Sequence, residues 1–175
     1  ALEHIPFQRD NNPNALRDAS FLSDLPRLKD IHLYACSLYN MNFLEGNARN
    51  QTSISLGFAG DIQDYSGLAF IKQYNYLHVN PRSGNFPAVL PHIQDAQIDS
   101  LMLYECNGVD LSALPDGIRE LSIRYGNRED LTGLKPYSLR RLELWDGQYL
   151  RSLSGIENIP TLFGDKRQVE LEIVG

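Results

Sequence analysis

The sequence predicts an α/β solenoid, in which short units stack along one axis and each buries its apolar side only against its neighbours. Three observations carry this. Ile118, Leu121 and Ile123 recur as Leu139, Leu142 and Leu144, and the trailing pair Leu131 and Leu134 recurs as Leu150 and Leu153. The same L-x-x-L-x-L frame can be laid along almost the whole chain of 175 residues, and the two cysteines, Cys36 and Cys106, fall at one position of that frame.

The first unit is degenerate, with Leu2, Ile5 and Phe7 followed by Leu16, Leu22 and Leu25. The second is regular: Leu28, Ile31, Leu33, Cys36 and Leu38. A third keeps Ile54, Leu56, Ala59, Ile62 and Leu68 but has Gln51 in the opening position. The fourth uses Tyr74, Leu77 and Val79, then Phe86 and Leu90, and its prolines Pro81, Pro87 and Pro91 predict an extended or turn-like outer side with no regular helix. Ile98, Leu101, Leu103 and Cys106 open the fifth, the two units quoted above follow, and Val169, Leu171 and Ile173 alternate as a last strand. Unit starts near 2, 28, 51, 74, 98, 118 and 139 are 20 to 26 residues apart. At this length one domain, residues 1–175, is the expectation.

Cys36 and Cys106 sit three units apart, on the order of 14 Å for parallel strands about 4.8 Å apart, beyond the roughly 7 Å limit for a disulfide. They are expected to be buried free thiols acting as small apolar groups. Two reduced thiols point to a reducing, cytoplasmic compartment, with a secreted effector as the alternative.

The frame resembles the leucine-rich repeat family, in its short-repeat bacterial-like or 22-residue class. The resemblance covers nearly the whole chain and implies a curved parallel sheet on a concave side, with turns and short helical or extended segments on a convex side. The chain departs from the family where a ladder asparagine is expected, carrying Cys36, Ala59, Arg82, Cys106, Gly126 and Gly147 instead.

Period-two alternation along each strand places three columns of side chains on the concave face. The first is His32, Ser55, His78, Met102, Ser122 and Glu143; the second is Tyr34, Gly57, Asn80, Tyr104, Arg124 and Trp145. The third, at the strand exits, is Ala35, Phe58, Pro81, Glu105, Tyr125 and Asp146. Tyr, Trp and Arg predominate at interface hot spots because each joins a large apolar body to a polar handle. Candidate partner-binding residues are therefore Tyr34, Phe58, His78, Tyr104, Glu105, Arg124, Tyr125 and Trp145.

Other classes fare worse against the residues. Ser55 falls between His32 and His78, but a nucleophile needs an oriented base and oxyanion donors, and no carboxylate is evident behind either imidazole in the sequence. Two histidines on non-adjacent strands do not make a zinc site, and neither phosphate-binding glycine motif is present. The balance of 16 basic and 22 acidic residues, a net charge of −6, opposes general nucleic-acid binding. Arg119, Arg140 and Arg141 interleave with Glu120 and Glu143 and read as a solvated flank. Asn50-Gln51-Thr52 is a glycosylation sequon, meaningful only in a secreted eukaryotic protein. No apolar run reaches the roughly 20 residues that cross a bilayer. The expectation is a non-catalytic protein-recognition module without cofactor, metal, nucleic acid or membrane. A structural spacer within a larger protein and a carbohydrate- or small-ligand-binding surface are the alternatives.

Overall fold

The computed structural model describes residues 16–25, 27–81, 86–105, 108–125, 127–135, 139–145, 150–158 and 170–174. Among these residues seven strands form one sheet: β1 (Asp30–Leu38), β2 (Ile54–Ile62), β3 (Gln73–Pro81), β4 (Gln97–Tyr104), β5 (Glu120–Arg124), β6 (Arg141–Trp145) and β7 (Glu170–Val174). Each pairs in parallel with the next in sequence, so sheet order equals chain order. Parallel neighbours require a crossover, and here the crossovers carry α1 (Phe43–Asn50), α2 (Leu90–Ile93) and 3-10 turns, among them Ser66–Phe70 and Leu111–Ala113, while a further 3-10 turn, Ser20–Asp24, precedes β1.

One face of the sheet is the core. Leu56 pairs with Leu77, Leu77 with Leu101, Leu101 with Leu121 and Leu121 with Leu142 in one row, and the parallel row runs Phe58, Val79, Leu103, Ile123 and Leu144. All are buried. Because side chains alternate with period two, these rows commit the intervening positions to the opposite, open face.

The register corrects the sequence reading at β2. Ile31 pairs with Leu56 and Leu33 with Phe58, so the inward pair of this unit is Leu56 and Phe58, two residues later than the frame predicts. Gln51 and Ser53 are both polar, and Ile54, Leu56 and Phe58 alternate without a break, so two registers satisfy the apolar pattern equally. The choice falls at an irregularity between Ile54 and Ser55, which lets Ile54 and Tyr74 start a deeper core row.

A second repeated signal lies on the crossovers and on the turn that precedes β1. Asp18, Asn40, Asp64, Asp110 and Asp130 each accept, through Oδ1, the backbone N–H two residues later at 2.8–3.0 Å. Ser152 does the same through Oγ. These side chains cap the turn that follows, and hydrogen bonds from Ser20, Ser66, Ser112 and Thr132 hold the four aspartates below the usual carboxylate range. Beside the Asp and Asn caps, apolar residues plug the core, as with Tyr65 and Leu68 or Leu131 and Leu134, whereas Leu153 beside Ser152 is exposed. Gly67 sits where a Cβ would run into the Met41 carbonyl, so adjacent turns stack backbone to backbone.

The crossover from β3 to β4, the outer side of the fourth unit, is not wholly extended or turn-like as its prolines predict. A short turn of α-helix, α2, forms with Pro91 in its first turn, where the missing N–H has no intrahelical acceptor to lose. Cys36 is buried, and burial pushes its thiol up to about 11; Cys106, with Arg82, Gly126 and Gly147, lies outside the described residues. Among the described residues no helix is long and apolar enough to cross a membrane.

Candidate functional site

The open face carries three rows set by backbone register. The first holds Asp30, Ser55, Tyr76, Ser100, Glu120 and Arg141; the second His32, Gly57, His78, Met102, Ser122 and Glu143; the third Tyr34, Ala59, Asn80, Tyr104, Arg124 and Trp145. The first of these rows lies one alternation before the columns expected from the sequence, and the period-two step back from His32 to Asp30 marks it.

Phe58 is a correction among the candidate residues. It is fully buried, 5.9 Å from the Tyr65 ring, and therefore holds the fold and offers nothing to a partner. The same shift replaces Ser55 by Gly57 between His32 and His78, which removes the serine–histidine contact considered from sequence.

Gly57 shapes the β1–β3 end of the face. A Cβ there would fall 2.7 Å from His32 Nδ1 and 3.1 Å from Tyr34 Oη, so its absence lets both side chains fold across β2. A chain of polar contacts results. His32 Nε2 lies 2.8 Å from Asp30 Oδ1, His32 Nδ1 lies 2.9 Å from Tyr34 Oη, and Tyr34 Oη lies 3.5 Å from His78 Nδ1. The Tyr34 hydroxyl stands between the Nδ1 atoms of the two imidazoles and can donate to one of them at a time.

His78 lies beneath this cluster, 9% exposed, with the rings of Tyr34, Tyr76 and Tyr104 at 5.8, 6.5 and 6.0 Å. Burial, then the charges of His32 and Arg124, push its imidazole down to about 4, so it is neutral at pH 7. Burial also raises Tyr34, with Asp30 adding to it, and pushes Tyr76 up to about 12. These hydroxyls stay protonated and serve as hydrogen-bonding groups.

The β4–β6 end is ionic and aromatic. Tyr104, Arg124 and Trp145 stand in register on consecutive strands. The Arg124 guanidinium lies 4.4 Å over the Trp145 ring, donates from Nε to Ser122 Oγ at 3.0 Å, and donates from Nη2 to Glu143 Oε2 at 3.0 Å. Arg141 Nη2 reaches the other carboxylate oxygen at 2.7 Å, and Trp145 Nε1 donates to Oε2 at 3.3 Å. Burial raises the Glu143 pKa, but hydrogen bonds from Ser122 and Arg124, the Arg141 charge and the Trp145 indole outweigh it and leave the group below the usual range. Glu143 is thus an ionised anchor that locks Arg124 and Trp145 in place.

Tyr125 and Glu105 complete the strip. Both leave their strands with positive φ, 54° and 53°, and both are exposed. The turned backbone brings the Tyr125 ring to 4.9 Å from Tyr104. Of the candidate residues, Tyr34, His78, Tyr104, Glu105, Arg124, Tyr125 and Trp145 belong to the open face or its edge, with His78 covered by the others. Asp146 lies outside the described residues, and of Ala35 only the backbone is described.

Comparison of the chain with protein-family models and with curated proteins finds no match.

Proposed function

We propose that the chain is a short leucine-rich repeat solenoid whose open face is a non-catalytic surface for recognising a partner protein. The strip Tyr104, Tyr125, Arg124 and Trp145 carries this reading. Tyr104 packs on Tyr125 and the Arg124 guanidinium on Trp145, all four lie outside the core rows, and Glu143 and Ser122 fix Arg124 and Trp145 from below. Side chains already held in one arrangement lose little conformational entropy on binding, and Tyr, Trp and Arg are the residues from which hot spots are built. The repeat assignment is supported by sheet order equal to chain order, by leucines in register from β2 to β6, and by the capped turn that recurs on the crossovers.

The test is affinity capture with the wild-type chain and with a variant carrying Tyr104→Ala, Tyr125→Ala and Trp145→Ala. A protein retained by the wild type and lost from the folded variant supports the proposal. Equal retention by both moves recognition to another surface.

A further inference from the structure

Between the two halves of the open face lies a cavity of about 310 Å³. It exists because of a size pattern in the rows. Ser100 and Ser122 form a low floor on β4 and β5, while Tyr76 and Met102 rise on one side and Arg124 and Arg141 on the other. Its volume is at the bottom of the range of roughly 300–1,000 Å³ for small-molecule sites, which suits a single ring better than an extended chain.

The charges select the ligand class. The lining contains two guanidiniums, Arg124 and Arg141, and two carboxylates, Glu120 and Glu143. An anion would be held by the arginines and repelled by Glu120, and a cation would meet the reverse, so neither sign is favoured by the lining. Hydrogen-bonding capacity is nevertheless present in both senses. Two of the five N–H donors of Arg124 are engaged by Ser122 and Glu143. Glu120 forms no ion pair among the described residues and offers acceptors, and Ser100 offers a hydroxyl of either role. Tyr76, whose hydroxyl lies 3.5 Å from Met102 Sδ, supplies with Met102 an aromatic and thioether wall. A ligand that uses all of this is uncharged, rich in hydroxyl groups that both donate and accept, and apolar on one ring face.

We propose that this cavity is a binding site for one neutral pyranose ring, as a free glycoside or as a unit of a glycan. Floor serines admit the ring, Tyr76 and Met102 cover its C–H face, and Arg124 and Glu120 fix its hydroxyls from opposite sides. The proposal rests on the reading above only in taking the open face to be available to ligands; it requires no protein partner.

The experiment follows the backbone amide resonances of the full chain during titration with the methyl glycosides of glucose, galactose and mannose, and with methyl glucuronoside and methyl glucosaminide as anionic and cationic controls. At least one neutral glycoside, at concentrations in the tens of millimolar, is expected to shift Ser100, Met102 and Ser122 in a dose-dependent way, with neither charged control binding more tightly. Ser100→Val, which fills the floor, abolishes the shifts in a chain of unchanged thermal midpoint. Glu120→Lys, at an exposed position, weakens them about tenfold. No shift with any neutral glycoside, tighter binding of a charged control, or wild-type titration by both variants overturns the proposal. Because no partner is present, that result leaves the capture experiment untouched. Conversely, glycoside shifts retained in a chain that captures nothing would overturn only the protein-recognition reading.

Discussion

Replacing Phe58 by alanine tests the register of the sheet. Phe58 is fully buried, pairs with Leu33 and Val79 on the flanking strands, and packs against Tyr65. Removing a buried phenylalanine ring costs about 3–5 kcal/mol, the lost transfer free energy plus the cavity it leaves. For a chain of this size each kcal/mol lowers the thermal midpoint by about 2–4 °C, so a fall of about 6–20 °C is expected. Urea denaturation supplies the free energy, with the slope m checked against the wild type so that a changed unfolded state is not mistaken for a lost contact. Phe70→Ala is the control, since that ring is 42% exposed and its loss is expected to change stability by about 0.5 kcal/mol or less. A cost below about 1 kcal/mol for Phe58→Ala refutes the shifted register: the ring would then stand at the strand exit, level with Glu105 and Tyr125, where the unshifted frame has it.

Three further outcomes are expected. His78, with a folded pKa lowered to about 4 against an ordinary value near 6.5, binds fewer protons folded than unfolded across that interval. Its contribution is complete above about pH 6.5 and is lost as pH falls towards 4, at up to about 1.4 kcal/mol per unit, and His78→Gln should remove that slope from denaturation curves measured at pH 7 and pH 5. Glu143 has the depressed pKa of a paired carboxylate, so its contribution is present above the unfolded value of about 4.3 and declines as pH falls through the folded one. Glu143→Gln should flatten stability below that pH and cost about 1–3 kcal/mol at pH 7, read by urea denaturation. At the cap, Asp110→Ala should lower the thermal midpoint and Asp110→Asn largely preserve it, because the amide oxygen can still accept from Ser112.

The sequence made the sheet legible because its inward rows are apolar from β1 to β6, and parallel order follows from units too long for hairpins and too short for separate domains. Leu121, for example, is 1% exposed, in register with Leu101 and Leu142 as its frame position requires. The strip of Tyr104, Arg124 and Trp145 could be aligned for the same reason. Period two alone could not choose between Leu56 and Phe58 as partner of Leu33, since a shift of two keeps every side chain on its face. The polar cluster was illegible for a different reason. Tyr34 reaches His78 across β2 only because Gly57 carries no side chain, and that is a three-strand coincidence absent from any single unit. The caps were legible as Asp or Asn two residues before Ser, Thr or Asn, but they lie between the leucines on which the frame was built.

The most direct test of the central claim, that residues beneath the sheet hold the fold and those above it recognise a partner, is the affinity of Trp145→Ala for the protein captured by the wild-type chain, measured together with its thermal midpoint. The account predicts binding weaker by about 2 kcal/mol or more, a loss of roughly thirtyfold, with the midpoint lowered by no more than about 4 °C. Unchanged affinity in the folded variant, or a midpoint that falls as far as that of Phe58→Ala, contradicts it.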